Sequence, residues 1–156
     1  MTVKLVHTAL IDDPETPEAD RPGFDEIWDS MLYKAEHPVD FVPSITECTV
    51  VERYPDGFLR EVVFYGKDRV RERVTPDRGN GRIAFELIDN PEMTVIYNDV
   101  DEDTEGRRVF TLTYVLADER VSKNDYLQEF DRTVRETAEQ TAATLRNTAA
   151  ATTSPA

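Results

Sequence analysis

The chain has 156 residues, 39% of them hydrophobic, so a single domain with a modest core is expected. Its 32 acidic and 18 basic residues give a formal net charge of −14. Because an acidic surface repels phosphate backbones and anionic lipids, neither nucleic acid nor a membrane surface is expected as a partner.

Cysteine content and the N-terminal residues predict a reducing compartment. Cys48 is the only cysteine, so a disulfide within the chain is impossible. Lys4 is not followed by the apolar stretch of a secretory signal. No apolar run approaches the roughly 18 residues that a membrane-spanning helix needs. These features together predict a cytoplasmic protein.

The first predicted elements are a strand and an amphipathic helix. Residues 3–10 alternate, with Val3, Leu5, His7 and Ala9 on one side of the strand. Residues 12–23 are rich in proline and acids and form a loop. Residues 24–36 then carry apolar side chains at helical spacing. The members of this stripe are Phe24, Ile27, Trp28, Met31, Leu32 and Ala35. Pro38 ends the helix, and one further turn is possible after it.

Six strands are predicted after this helix, separated by short turns. They cover residues 46–54, 58–65, 69–74, 82–88, 93–98 and 108–116. The segments Pro55-Asp56-Gly57 and Gly66-Lys67-Asp68 are strong turn signals. Successive strands with short connections favour an antiparallel meander.

A long C-terminal helix is predicted over residues 123–146, and the rest of the chain is organised around it. Its apolar stripe consists of Leu127, Phe130, Val134, Ala138, Thr141 and Leu145. The stripe narrows to alanine and threonine in its second half, which leaves space or allows close approach. We therefore expect a curved sheet wrapped around this helix with a cavity between them. Residues 1–146 form the domain and residues 147–156 a flexible tail.

Arg60 and Glu72 are the first candidate site residues. A three-residue loop at 66–68 pairs Val62 with Glu72 and places Glu72 diagonally across from Arg60, on an otherwise apolar face. A lone buried carboxylate is costly, so it is either paired or neutral. The pair is then either a structural or outward-facing ion pair, or a polar anchor or acid with raised pKa at the cavity wall. With a two-residue loop, Glu72 would instead lie on the opposite face of the sheet from Arg60.

Histidine and aromatic side chains supply the remaining candidates. His7 is either a general acid or base in a pocket or a hydrogen-bonded wall residue. Trp28, Tyr97, Phe110 and Tyr114 lie on elements expected to face inward. They either pack in the core or offer rings and hydroxyls to a ligand. Two distant histidines and one cysteine make no metal pattern, and no cofactor is expected.

Several segments resemble the START and birch-pollen-allergen-like (SRPBCC, helix-grip) superfamily, and in particular its AtaL-like branch of small, mostly uncharacterised proteins. They are Ile-Trp-Asp-Ser-Met-Leu at 27–32, Lys-Ala-Glu-His-Pro-Val-Asp-Phe-Val-Pro at 34–43, Leu-Arg-Glu-Val at 59–62 and Val-Arg-Glu-Arg-Val at 70–74. Arg60 and Glu72 match the branch pattern. Two positions depart from it: Gly23 replaces a hydroxyl cap and Met31 replaces leucine.

The resemblance implies an α+β helix-grip fold, in which a seven-stranded antiparallel sheet grips the C-terminal helix around a deep cavity. Superfamily members bind lipids, sterols, polyketides or other hydrophobic molecules there, and some act as polyketide cyclases or aromatases. The branch has no established catalytic residues, so none is assigned here.

Three functions are compatible with the sequence. The first is binding of a small hydrophobic or aromatic molecule in the cavity. The alternative is a cyclase or dehydratase acting on a polyketide-like substrate, with His7, Glu72, Tyr97 and Tyr114 as candidates. The third is an interaction module, including a homodimer. The candidate cavity-lining residues are His7, Trp28, Arg60, Glu72, Tyr97, Phe110, Tyr114, Phe130 and Val134.

Overall fold

A computed structural model describes residues 2–117 and 124–153. The strands are β1 (Thr2–Leu10), β2 (Ile45–Tyr54), β3 (Gly57–Phe64), β4 (Asp68–Asp77), β5 (Arg82–Leu87), β6 (Met93–Glu102) and β7 (Arg108–Ala117). The α-helices are α1 (Phe24–Glu36) and α2 (Asn124–Thr153), and short 3-10 turns occur at Glu18–Asp20, Pro38–Asp40 and Arg78–Asn80.

The seven strands form one curved sheet in the order β1-β7-β6-β5-β4-β3-β2, and all neighbouring strands are antiparallel. Six strands follow one another as a meander, and β1 closes the order beside β7. Helix α2 packs against β1 and β7, and α1 packs against α2. The predicted α+β architecture of a curved antiparallel sheet with a long C-terminal helix is confirmed, and the arrangement is compatible with a helix-grip fold.

The predicted apolar stripe of α2 faces the core. Val134, Ala138, Thr141 and Leu145 are each no more than 1% exposed. Its small side chains let the helix backbone approach its neighbours closely, while the larger Phe130 is only partly buried. The helix is therefore tightly packed in its second half and less enclosed near its start.

Helix α2 extends seven residues beyond its predicted end at Arg146, to Thr153. Ala149, within the segment expected to be a tail, is fully buried. The alanine and threonine residues of this segment are compatible with either a tail or a helix. Packing of the segment against the core favours the helix. Residues 154–156 and the predicted helix start at Lys123 lie outside the described residues.

The β3–β4 hairpin differs from its predicted register. Phe64 lies opposite Asp68, so the loop comprises Tyr65, Gly66 and Lys67, one residue earlier than predicted. The Lys67 N–H donates to the Phe64 carbonyl over 2.9 Å, and both Tyr65 (φ 55°) and Gly66 (φ 66°) have positive φ. The strand pairing therefore shifts by two residues, which preserves the inward face.

Gly57 begins β3 where only a glycine fits. A Cβ atom there would overlap the carbonyl oxygen of Val74 on the neighbouring strand. Gly57→Ala is therefore expected to lower the free energy of unfolding by about 1–3 kcal/mol through overpacking. Urea denaturation measures the change. Gly79→Ala is the matched control, because its nearest neighbouring atom lies 3.8 Å away; equal stability of the two variants would contradict the steric argument.

Candidate functional site

An apolar cleft of about 410 Å³ lies between the sheet and the first half of α2. Its apolar lining includes Val42, Phe64, Val70, Leu87, Met93, Ile96, Tyr114, Phe130 and Val134. The rings of Tyr114 and Phe130 meet edge to face with centroids 5.5 Å apart. The volume lies within the range of roughly 300–1,000 Å³ that is typical of small-molecule sites.

A second, smaller cavity of about 40 Å³, here called the inner cavity, adjoins the cleft. The two share the lining residues Val42, Phe64, Glu72, Ile96, Tyr114 and Thr137. Beyond these, the inner cavity is lined by four polar residues, Lys34, Arg60, Asn98 and Thr141, and by four apolar ones, Ile45, Phe85, Phe110 and Leu112. The apolar cleft thus leads to a smaller cavity in which a few charged and polar side chains from separate elements converge.

Arg60 and Glu72 form a buried ion pair at the inner cavity. Directly opposite each other on β3 and β4, they place the Arg60 Nε and Nη2 at 2.7 and 2.6 Å from Glu72 Oε1. Arg60 Nη1 also donates to the Ala35 carbonyl over 2.8 Å. The side chains are 7% and 1% exposed. The two residues therefore both pair and line the cavity, and they pair directly rather than diagonally as predicted.

Lys34 is a buried cation that the sequence reasoning missed. Its Nζ donates to Asn98 Oδ1 over 2.6 Å, and it lies 5.6 Å from the ring centroid of Phe85. Burial, reinforced by the positive charge of Arg60 and opposed by Glu72, lowers the Lys34 pKa from 10.5 to about 7. The ammonium and the free amine are thus both accessible near neutral pH.

The sequence contains a local signal for both Lys34 and Asn98, neither of which was predicted as a site residue. Lys34 follows Met31 by three positions and Ile27 by seven, so helical periodicity puts it on the buried side of α1. Asn98 lies between Ile96 and Val100 on the same face of β6. In both cases the signal is a polar residue at a position where the helical or strand periodicity predicts a buried apolar side chain.

Tyr114 presents a phenol to both cavities. Burial, together with the negative charge of Glu72, raises its pKa to about 12, with Arg60 opposing. The hydroxyl therefore keeps its proton at neutral pH and can donate a hydrogen bond to a ligand oxygen.

Six of the nine candidate residues line the cleft or the inner cavity: Arg60, Glu72, Phe110, Tyr114, Phe130 and Val134. His7 does not line them; its Nε2 lies 2.7 Å from Asp131 Oδ1 and joins β1 to α2. Trp28 instead packs in the core, stacked against Phe24 at a centroid distance of 5.9 Å.

Tyr97 lies on the opposite face of the sheet, contrary to its predicted inward orientation. Its neighbours Ile96 and Asn98 line the inner cavity, so strand alternation turns Tyr97 outward. There its ring lies 4.1 Å from the guanidinium carbon of Arg82, which also binds Asp99. The structure thus separates Tyr97 from the other aromatic candidates.

Two further properties concern only the described residues. Within 2–117 and 124–153, no group of three or more histidine, cysteine, aspartate or glutamate side chains is placed to hold a metal ion. The helices in these ranges lack the combination of length and apolar character required to cross a membrane.

A known protein family matches most of the chain. The model of the AtaL family, described as acetylaranotin biosynthesis cluster protein L, matches residues 5–152. This range includes α1, all of α2 except Thr153, and nearly all of the sheet. No curated protein matches the chain. Because the match covers most of its length, the chain belongs to the AtaL family.

Proposed function

We propose that this protein binds a small hydrophobic or aromatic molecule in the cleft between the sheet and α2. The observation that carries this proposal is an apolar cleft of about 410 Å³ that ends at an inner cavity lined in part by Lys34, Arg60 and Asn98. Ligand sites commonly combine an apolar lining with a few convergent polar groups that orient the ligand. We also place the chain in the START-like superfamily, with which its sheet and helix arrangement is compatible.

The lining favours a ligand with a ring. Phe130 and Tyr114 already contact each other edge to face, and an inserted ring can extend this arrangement. The Tyr114 hydroxyl supplies a hydrogen-bond donor for a carbonyl or phenol oxygen. The family takes its description from a biosynthesis cluster, so polyketide-like aromatics are the first ligands to test, beside fatty acids and sterols.

Blocking the cleft is expected to weaken ligand binding without unfolding the protein. Thr137 lines both cavities, and Thr137→Phe puts a ring into the passage between them. We expect at least about a tenfold loss of affinity, equivalent to roughly 1.4 kcal/mol. Native mass spectrometry and ligand-induced thermal shift with the three ligand classes measure it.

Thr144→Phe is the matched control. Thr144 lies two helical turns further along α2 and lines neither cavity. Each threonine hydroxyl donates to the carbonyl four residues earlier, over 2.8 Å for Thr137 and 2.9 Å for Thr144. Both variants lose this bond, so only the cleft distinguishes them. Equal binding by the two variants, or no ligand bound by the wild type, would contradict the proposal.

The second candidate function is a cyclase or dehydratase. It is favoured by Glu72 and Tyr114 lining one cleft beside Lys34, whose pKa of about 7 suits proton transfer at neutral pH. Mass spectrometry of polyketide-like compounds before and after incubation distinguishes the two functions. An unchanged compound that stays bound supports binding, whereas loss of water or ring closure, abolished in Lys34→Met, supports catalysis.

A further inference from the structure

We propose that the ligand of the cleft is an organic acid, whose carboxylate occupies the inner cavity beside Lys34 while its apolar body fills the cleft. This inference rests on the proposed binding function and adds the chemical class of the ligand. It is carried by the charge, the space and the hydrogen-bond donors of the inner cavity.

The charges around the inner cavity do not balance when Lys34 is protonated. Glu72 is already paired with Arg60 through its Oε1 atom. Among the described residues, Lys34 makes a hydrogen bond to the neutral side chain of Asn98 and forms no ion pair. Two cations therefore share one carboxylate in a buried site, and a further anion would compensate the remaining positive charge.

The residues that line the inner cavity with Lys34 come from six strands, from α2 and from the segment before β2. They are Val42 before β2, Ile45 on β2, Arg60 and Phe64 on β3, Glu72 on β4, Phe85 on β5, Ile96 and Asn98 on β6, Phe110, Leu112 and Tyr114 on β7, and Thr137 and Thr141 on α2. Glu72 is the one carboxylate in this described set. Tyr114 stays neutral because its pKa is raised to about 12. The surroundings of Lys34 thus offer cations and neutral donors but no second anion.

The inner cavity has the size of a carboxylate group. Its volume of about 40 Å³ corresponds to roughly three water molecules at 10–15 Å³ each. A carboxylate has three heavy atoms. Arg60, Asn98 and Tyr114 can supply hydrogen bonds in addition to Lys34. Because the inner cavity and the cleft share lining residues, the apolar remainder of the ligand can lie in the adjoining cleft.

This arrangement predicts that binding of the acid is linked to proton uptake. The Lys34 pKa is about 7 in the free protein, and a carboxylate beside it raises that value because opposite charges favour the ammonium. At about pH 8 most of the free protein carries a neutral Lys34, so binding takes up about 0.4 proton if the acid raises the pKa by one unit, and more if the rise is larger. At about pH 5.5 Lys34 is already protonated, and the uptake falls toward zero.

Isothermal titration calorimetry with two matched pairs of probes tests the inference. The pairs are 2-naphthoic acid with 2-naphthalenemethanol, and decanoic acid with 1-decanol. Titrations in buffers of different ionisation enthalpy give the number of protons taken up. The variants are Lys34→Met, which keeps the length of the side chain without its charge, and Lys67→Met, an exposed control in the β3–β4 loop.

The wild type and Lys67→Met are expected to bind each acid at least about tenfold more tightly than its alcohol, because only the acid brings an anion beside the buried Lys34 and Arg60. They are also expected to take up protons at about pH 8 but not at about pH 5.5. Lys34→Met is expected to lose both the preference for the acid over its alcohol and the proton uptake. Proton uptake by the wild type tests the inference even if Lys34→Met fails to fold.

Two results would overturn the inference that the ligand is an organic acid without contradicting the proposed binding function. One is equal binding of acid and alcohol without proton uptake by the wild type; the other is an acid preference that persists in Lys34→Met. In both cases binding in the cleft would stand. Failure of the wild type to bind any of the four probes would count against the inference and the proposed function together.

Discussion

Glu72→Gln is expected to lower the free energy of unfolding by about 3–5 kcal/mol, the usual cost of removing one partner from a buried ion pair. The substitution preserves the shape of the side chain but leaves Arg60, 7% exposed, without its carboxylate. It also leaves Lys34 and Arg60 as two cations that line one small cavity. Urea denaturation measures the loss through the midpoint and slope of the transition.

Two controls distinguish burial from the simple loss of a charge. Glu61→Gln lies next to Arg60 on the same hairpin and breaks the exposed contacts with Arg69 and Arg71. It is expected to change stability little, because water and salt screen exposed pairs. The double variant Arg60→Met/Glu72→Met removes both buried charges and should recover much of the lost stability. If Glu72→Gln is no more destabilising than Glu61→Gln, the pair is not buried in solution.

Lys34→Met is expected to stabilise the protein at neutral pH by about 2–4 kcal/mol. A lowering of the pKa from 10.5 to about 7 corresponds to roughly 5 kcal/mol of destabilisation at 1.36 kcal/mol per unit. The variant removes this penalty. It also leaves Asn98 Oδ1 without the hydrogen bond from Lys34, at a cost of about 1–3 kcal/mol.

The stabilisation by Lys34→Met should depend on pH with a defined sign. Between about pH 7 and 10.5 the unfolded chain keeps a proton on Lys34 that the folded protein releases, so wild-type stability rises with pH there. The advantage of the variant is therefore largest at or below about pH 7 and falls by roughly 5 kcal/mol toward about pH 10.5, where the lost hydrogen bond to Asn98 leaves the variant less stable than the wild type.

The difference in unfolding free energy between wild type and variant, measured across this pH range, isolates Lys34 because most other titrations are common to both proteins. Lys67→Met, in the exposed loop, serves as the control and should show no such dependence. A difference that stays constant with pH would contradict the lowered pKa of Lys34.

The secondary structure follows closely from local patterns in the chain. The apolar spacing and the His37-Pro38 stop predict α1 with the bounds that the structure has, Phe24–Glu36. The alternating segments predict all seven strands. The exceptions are ends and register: β6 continues to Glu102 and the β3–β4 pairing is shifted by two residues. Such details depend on neighbouring strands and on turn geometry, which periodicity alone does not specify.

Only part of the candidate site could be predicted from the sequence. Arg60 and Glu72 belong to one hairpin, so their proximity follows from a short turn. Lys34 and Asn98 are 64 positions apart and meet only because α1 and β6 pack around the same cavity. Tyr97 was predicted to face the cavity because it is an aromatic residue on a core strand. In the structure its side chain instead lies on the outer face of the sheet, beside Arg82.

By itself the sequence determined which segments become helices and strands and which side chains share a face, because those properties repeat over a few neighbouring residues. Only the tertiary structure decided that a lysine, an arginine and a glutamate from three separate elements would share one small cavity. It also set how deeply they lie, and burial at that depth is what lowers the pKa of Lys34, since removing water penalises its charged form.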